Sequence, residues 1–159
     1  MSKNRKKKVM FISSTGGHLT QLLELKSIFE DYNYVLVTEK TDVTKSMKDK
    51  YKMSYLKYGS RKYILKYILV ALFNLIKTIF LFIKFRPQVI VTTGTHTAVP
   101  MCYIGKIFGK KIIYIESFAK RNSPTLSGRM IYPIASTFVV QWENMLKFYP
   151  KAKYWGGIY

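Results

Sequence analysis

Two short loops in this sequence combine glycine, threonine and histidine, residue types that can hold an anion and move a proton. The first is Thr15-Gly16-Gly17-His18, which follows an apolar stretch and precedes a helical pattern. Glycines let the backbone approach a ligand closely, and free N–H groups at the start of a helix attract phosphate. The same helix end disfavours a cationic imidazole, so we expect His18 to be neutral and able to act as a catalytic base. The alternative is a tight turn with a solvent-facing histidine.

The second loop lies within "VTTGTHTAVP", residues 91–100, and repeats this arrangement. Gly94, Thr95 and His96 stand between a strand pattern and a helix pattern. Two such loops at neighbouring strand ends would form a cradle of N–H groups and hydroxyls that suits a diphosphate. His96 could handle a proton, or it could be only a hydrogen-bonding loop residue.

Two glutamates also follow strand patterns. Glu39 stands 22 residues after Gly17, which resembles the acidic residue of dinucleotide sites, although the three-glycine spacing of those sites is missing. Glu116 could bind sugar hydroxyls or act as a second catalytic base, and the alternative is an ion pair with Lys120 or Arg121. Two histidines and a single cysteine lie far apart, so we expect neither a metal site nor a cofactor.

The elements that must position these residues alternate between strands and helices. The strand patterns are continuous apolar runs, which is typical of a parallel sheet covered on both faces. We therefore predict one Rossmann-like α/β domain over residues 1–159, with ligands at the carboxyl ends of the strands. Strands are predicted at 8–13, 34–38, 53–58, 88–92, 111–116, 137–141 and 154–155. Helices are predicted at 17–29, 42–50, 60–85, 97–108 and 124–134.

The stretch 61–86 ("RKYILKYILVALFNLIKTIFLFIKFR") is apolar around most of a helical wheel. Its four lysines fall within an arc of about 60° at ~100° per residue. The longest lysine-free run is 67–76, shorter than the ~20 apolar residues that a spanning helix needs. We therefore expect an amphipathic helix in the membrane interface, and the alternative is a core helix with one solvated edge. The expected membrane-binding residues are Lys62, Lys66, Phe73, Lys77, Phe80 and Lys84.

The net charge of +19 indicates an anionic partner such as a membrane surface, a nucleic acid or a phosphorylated ligand. Because the basic residues flank a wide apolar helix, we expect an anionic membrane rather than a nucleic acid. The rival interpretation is a basic module that binds nucleic acid or a nucleotide cofactor. Cys102 is the single cysteine, so no disulfide can form within the chain.

Four segments together resemble the PssD/CpsF group of bacterial polysaccharide biosynthesis proteins. They are "FISSTGGHLTQL", "TTGTHTAVP", "IYIESFAKRNSPTLSGRMIYPIAS" and "FVVQWE" with "YPKAKYWGGIY". This group is similar to the membrane-anchoring subunit of the eukaryotic dolichol-linked N-acetylglucosaminyltransferase and to the amino-terminal half of MurG. The eukaryotic subunit has an amino-terminal spanning anchor, whereas this sequence has only the basic "KNRKKK" there.

The resemblance implies the acceptor half of a split, inverting GT-B glycosyltransferase at the cytoplasmic face of the cell membrane. A separate donor-half subunit would bind the UDP-sugar, and the pair would extend a lipid-diphosphate-linked sugar in capsule or exopolysaccharide synthesis, often with β-1,4-galactose. Attachment would be peripheral or monotopic. The loop residues implied to contact the acceptor diphosphate are Thr15, Gly16, Gly17, His18, Gly94, Thr95 and His96. The resemblance implies that His18 is a base or an acceptor-positioning group and places Glu116 near the glutamate that follows the later strand. We expect His18 and Glu116 to be the catalytic residues.

Overall fold

A single parallel β-sheet is the framework of the protein, as the continuous apolar runs predict. The computed structural model describes residues 6–60 and 62–158. In that part of the chain seven strands pair in the order β3-β2-β1-β4-β5-β6-β7, and every pair is parallel. The strands are β1 (Lys8–Ile12), β2 (Asn33–Lys40), β3 (Met53–Lys57), β4 (Val89–Thr92), β5 (Lys111–Ile115), β6 (Thr137–Val140) and β7 (Lys153–Tyr154).

Helices lie on both faces of the sheet, which confirms the predicted Rossmann-like class. They are α1 (Gly17–Leu23), α2 (Asp42–Lys45), α3 (Ile64–Phe85), α4 (Val99–Ile107) and α5 (Leu126–Ile131). One core surrounds Met10, Ile90 and Ile112 on the face that carries α3, α4 and α5. The other surrounds Phe11 and Leu22 on the face that carries α1.

Several elements are shorter than predicted. The helix expected at 17–29 changes after α1 into a 3₁₀ segment, Glu24–Asp31, which buries Phe29 with its ring 4.2 Å from that of Phe11. The helix expected at 42–50 ends after α2, and the chain continues in turns from which Met47 packs, partly buried, against the core around Phe11. A 3₁₀ segment at Glu143–Lys147 had no clear signal in the sequence.

The longest helix, α3, ends just before Pro87, as that proline predicts. Arg86 takes a left-handed conformation with φ of 53°, and Pro87 follows it. The prediction began this helix at residue 60, four residues early. Arg61 and the first residues of the basic segment, 3–5, lie outside the described residues, as do both ends of the predicted domain.

Candidate functional site

The two glycine loops meet at the carboxyl edge of the sheet because β1 and β4 are neighbours. The backbone N–H of Ser14 donates to the carbonyl of Gly94 at 3.3 Å. The hydroxyl of Thr93 donates to the carbonyl of His18 at 2.7 Å. The sequence thus predicts this pairing of loops correctly, and the bonds between them hold the first turn of α1 against the second loop.

The imidazole of His18 has a defined tautomer. Its Nδ1 lies 2.8 Å from the carbonyl oxygen of Thr93, and a carbonyl oxygen only accepts hydrogen bonds. Nδ1 must therefore carry the proton in the neutral ring, which leaves Nε2 as the basic nitrogen. This is the form in which a histidine can take a proton from a hydroxyl group. The alternative was a tight turn with a solvent-facing histidine, and the structure shows a half-buried ring that is bonded to the second loop.

The backbone of the first loop is open for a ligand, whereas Gly94 of the second loop is buried and its N–H donates to Thr92 Oγ1 at 2.9 Å. Gly16 and Gly94 have φ angles of 79° and 98°, which favour glycine. A Cβ atom at Gly16 or Gly17 would meet nothing within 4 Å. Among the described residues, the N–H groups of Gly17 and His18 have no hydrogen-bond partner, as expected in the first turn of a helix. Because α1 has only seven residues, its dipole is smaller than the predicted helix 17–29 would supply.

The buried side chain of Glu39 makes hydrogen bonds to both loops from the inside of the protein. Its carboxylate is 3% exposed and accepts hydrogen bonds from Thr15 Oγ1 at 3.2 Å and Thr97 Oγ1 at 3.0 Å. His96 Nε2 lies 3.7 Å from the same carboxylate. These contacts leave Glu39 engaged inside the protein rather than exposed for a ribose. The geometry therefore disfavours the nucleotide-cofactor interpretation and gives Glu39 a role in shaping the loops, which its position alone did not reveal.

Glu116 also lies inside the protein, with an exposure of 1%. Its carboxylate accepts hydrogen bonds from Thr125 Oγ1 at 2.8 Å, Tyr149 OH at 2.7 Å and the Ser117 N–H at 2.8 Å. Burial and the neighbouring carboxylate raise the pKa of Tyr149, so its hydroxyl stays protonated and donates.

The catalytic role predicted for Glu116 does not fit this geometry, because its oxygens are occupied and turned away from solvent. The predicted alternative, an ion pair with Lys120 or Arg121, is not the observed arrangement either. The guanidinium of Arg121 lies over the Trp142 ring at 4.0 Å. Glu116 instead holds the first turn of α5 in place, since Thr125 is the N-cap residue of that helix.

The helix α3 presents a wide apolar surface to solvent. Leu65, Leu69 and Ile76 are 81%, 67% and 69% exposed, and within α3 only Thr78 and Phe82 are buried. The alternative of a core helix with one solvated edge is therefore wrong. Lysine ammonium groups lie near the predicted aromatic rings, with Lys77 6.0 Å from the Phe73 ring and Lys84 5.9 Å from the Phe80 ring. Lys62 and Lys66 are exposed at the beginning of the stripe.

One side of α3 is fixed to the domain along its length. The side-chain amide of Asn74 bonds both the N–H and the carbonyl of Lys57, each at 2.8 Å. The ring of Phe82 lies 5.2 Å from that of Phe108, which follows α4. By length and composition α3 could cross a membrane. Because it lies against the folded domain, the geometry favours a helix that rests in the membrane surface.

Metal binding has no support in the described ranges, 6–60 and 62–158. No group of three or more histidine, cysteine, aspartate or glutamate side chains is placed there to hold a metal ion.

The fold defines a class of protein, the Rossmann-like α/β domains with one parallel sheet. Acinetobacter baumannii MurG matches with a TM-score of 0.69 at 15% identity, over 87% of this chain and 42% of that one. A UDP-N-acetylglucosamine 2-epimerase from Rickettsia bellii matches with a TM-score of 0.72 at 14% identity, over 97% and 46%. The chain thus spans less than half the length of these solved structures, and the likeness concerns the fold.

The family model "Oligosaccharide biosynthesis protein Alg14 like" matches residues 9–158, so the chain belongs to the Alg14 family. It is similar to the "UDP-N-acetylglucosamine transferase subunit ALG14" of Candida albicans, 44% identical over 46% of this chain and 36% of that protein. The Yarrowia lipolytica protein of that name is 28% identical over 97% of this chain and 82% of its own length. The Mus musculus protein is 24% identical over 95% of this chain and 82% of its own length.

The structure also agrees with the predicted peripheral or monotopic location. The single apolar helix found in the described residues is consistent with monotopic attachment to a membrane.

Proposed function

We propose that this chain is the acceptor-binding, membrane-docked subunit of a two-chain inverting glycosyltransferase that extends a lipid-diphosphate-linked sugar. The observation that carries the proposal is the position of the membrane helix beside the loop cradle. Tyr67, in the first turns of α3, lies with its ring 5.8 Å from that of His96. An acceptor held in a membrane by its lipid would therefore bring its diphosphate to the glycine loops without leaving the bilayer surface.

Each of the two glycine loops has a specific role in the proposed reaction. The N–H groups of Gly16, Gly17 and His18, together with Thr95 and His96, hold the acceptor diphosphate, and Gly94 shapes the second loop around them. His18 Nε2 takes the proton from the acceptor hydroxyl as that oxygen attacks the anomeric carbon of the donor sugar. The nucleoside diphosphate leaves from the opposite side of that carbon, which inverts its configuration. The Nδ1 contact with Thr93 keeps the imidazole in the required tautomer throughout.

A partner subunit would supply the donor site. The matching relatives are named as subunits of a transferase, which supports a second chain. An open apolar cavity of about 280 Å³ also remains on the sheet face that carries α1. Its lining includes Val9, Phe11, Val91 and Ile113 from three adjacent strands. Val9, Phe11 and Val91 are themselves buried, so the support for contact with another chain is the apolar opening above them.

The donor sugar has two candidates. The resemblance to PssD/CpsF proteins implies UDP-galactose and a capsule or exopolysaccharide product. The names of the matching relatives favour UDP-N-acetylglucosamine instead. We place N-acetylglucosamine first for this reason, and galactose on a lipid-linked glucose remains the second candidate.

Transfer from radiolabelled UDP-N-acetylglucosamine and UDP-galactose to membrane-bound lipid-diphosphate sugars tests the proposal. The assay compares this chain alone, the donor-half protein alone and the two together. We expect product only with both chains and with one of the two donors. Full transfer by this chain alone would place a donor site within it and contradict the two-chain proposal. Absence of transfer from either donor to any lipid-linked acceptor would contradict the proposed function.

A further inference from the structure

We propose that the groove between α4 and α5 binds the hydrocarbon chain of the acceptor next to its diphosphate. This inference rests on the proposed function, since it assumes an acceptor in which a diphosphate joins a sugar to a lipid. The groove has a volume of about 280 Å³. That is at the small end of the roughly 300–1,000 Å³ typical of ligand sites, so it would hold one segment of a long chain.

The lining of the groove fits a hydrocarbon better than a sugar. Val99 and Pro100 of α4 face Leu126 and Met130 of α5 across it. Leu126 is 74% exposed, so an apolar rim is left open to the surroundings. A sugar site needs unoccupied polar groups that fix the hydroxyls of the ligand, and apolar walls of this kind cannot supply them.

The hydroxyl groups at the groove are already engaged. Thr125 Oγ1 donates to Glu116 at 2.8 Å and accepts from the Gly128 N–H at 2.9 Å. Ser127 Oγ shares a hydrogen bond with Tyr114 OH at 3.1 Å. Because these oxygens complete the internal network around Glu116, they are poorly placed to read a carbohydrate. Since these hydroxyl groups are engaged inside the protein, the apolar side chains dominate the surface that the groove offers to a ligand.

The ends of the groove suit a molecule with an anionic head and an apolar tail. At one end lie Thr95 and His96, which belong to the proposed diphosphate cradle. One helical turn beyond the groove, Tyr103 OH donates to the Met130 carbonyl at 3.0 Å and joins the two helices. The groove is therefore bounded in that direction and open outward. A tail that leaves the diphosphate would run along the groove and then turn out toward the membrane.

Binding of two soluble probes to the full chain tests this inference without any transfer reaction. The probes are inorganic diphosphate and geranyl diphosphate, which adds a short branched hydrocarbon to the same anion. We expect geranyl diphosphate to bind about ten-fold or more tightly than diphosphate, because several apolar carbons leave water. In a protein labelled at its methionine methyl groups, the NMR signal of Met130 should shift with geranyl diphosphate and not with diphosphate.

Two substitutions test whether the geranyl group binds in the groove. Met130→Trp fills the groove and should abolish the gain in affinity from the geranyl group, while diphosphate binding stays within about two-fold. Ile107→Trp is the matched control, since it enlarges an exposed residue of α4 that does not line the groove. It should keep the full gain. If Met130→Trp fails to fold, the Met130 methyl shift in the native protein decides the question alone.

The outcomes separate this inference from the proposed function. Equal affinities for the two probes would contradict hydrocarbon binding in the groove and would leave the proposed diphosphate cradle intact. A geranyl gain that survives Met130→Trp, with no Met130 shift, would place the tail elsewhere and also overturn it. A groove-dependent gain without measurable diphosphate binding would support the groove and contradict the proposed cradle. Failure of both probes to bind would overturn the groove and count against the cradle.

Discussion

The carboxyl edge of the sheet and the outward side of α3 are built on opposite principles. At the edge, polar groups are buried and nearly every one is paired, as Glu39 shows with Thr15, Thr97 and His96. On the outward side of α3, large apolar groups such as Leu69 and Ile76 are exposed, with no partner within the described chain. In the first region most buried side chains find their partners inside the protein, with the hydroxyls of Ser13 and Thr38 as exceptions. The apolar groups of the second region can be covered only by a surface outside the described chain.

This difference assigns the two regions to different tasks. A paired polar edge keeps the loops and His18 in one arrangement, which suits a step that needs accurate placement of atoms. An unpaired apolar helix face beside a row of lysines suits a fluid, anionic membrane surface. Substitutions at the edge should therefore change chemistry or folding, whereas substitutions on α3 should change location.

The largest effect is expected for charge reversal on α3. Lys66→Glu, Lys77→Glu and Lys84→Glu together should weaken binding to anionic vesicles about 100-fold or more, since each basic residue contributes about 1 kcal/mol at such a surface. Vesicle flotation measures the bound fraction. The matched control reverses Lys147, Lys151 and Lys153, which lie in or near β7, at the far edge of the sheet from β3. Equal release by both triple variants would show that net charge alone governs binding.

The next effect concerns His18. His18→Ala should reduce sugar transfer by the assembled enzyme about 100-fold or more, the usual contribution of a general base. His18→Asn is the sharper variant, because its amide can still donate to the Thr93 carbonyl but cannot accept a proton. We expect it to be as slow as the alanine variant. Recovery of activity with asparagine would make His18 a positioning residue.

Gly128→Ala tests the network around Glu116 through stability. A Cβ atom at Gly128 would overlap the Glu116 carboxylate and lie too close to Tyr149 and Thr125. The cost should be about 1–3 kcal/mol, which lowers Tm by roughly 2–4 °C per kcal/mol in a domain of this size. Gly157→Ala is the control, because the nearest atom to its added Cβ is at 3.4 Å. An unchanged Tm for Gly128→Ala would mean that this network is loosely packed.

The smallest effect is expected where α3 meets the sheet. β3 is an edge strand, and the side chain of Asn74 pairs its backbone at Lys57. Asn74→Leu should lower the free energy of unfolding by about 1–2 kcal/mol through the loss of two hydrogen bonds. Urea denaturation measures this loss, and amide exchange at Lys57 should become faster.

Asn33→Leu serves as the control for Asn74→Leu, since the Asn33 side chain makes no hydrogen bond within the described residues and is exposed. Similar losses in both variants would argue that Asn74 does not fix α3 to β3.

The two regions also differ in how far the sequence predicts them. The outward side of α3 follows from residue periodicity within one helix, so the lysine stripe and the exposed apolar arc were both predictable. The pairing of the two glycine loops followed from the alternation of strands and helices. The paired groups of the edge were not predictable in this way, because they come from distant parts of the chain. Tyr149 is 33 residues from Glu116 in the sequence, and no local sequence pattern predicts the hydrogen bond between them.

Element ends were predicted less well for a related reason. Whether residues 24–31 continue α1 or tighten into a 3₁₀ segment depends on the packing of Phe29 against Phe11 and Tyr34. The burial and the partners of the Glu116 carboxylate were missed for the same reason. Its place at the end of a strand was right, but the direction of its carboxylate depends on Thr125 and Tyr149.

Membrane docking as proposed requires α3 to lie flat in the membrane surface, and the depth of spin labels along this helix tests that directly. Cys102 is buried, and burial raises the pKa of its thiol to about 12, so labels introduced elsewhere should react selectively. Leu69→Cys, Ile76→Cys and Ile83→Cys place labels on one side of the helix. We predict nearly equal, shallow depths in anionic bilayers. A steady increase in depth of about 21 Å from the first label to the last would indicate a spanning helix, and labels exposed to water at all three positions would exclude membrane docking by α3.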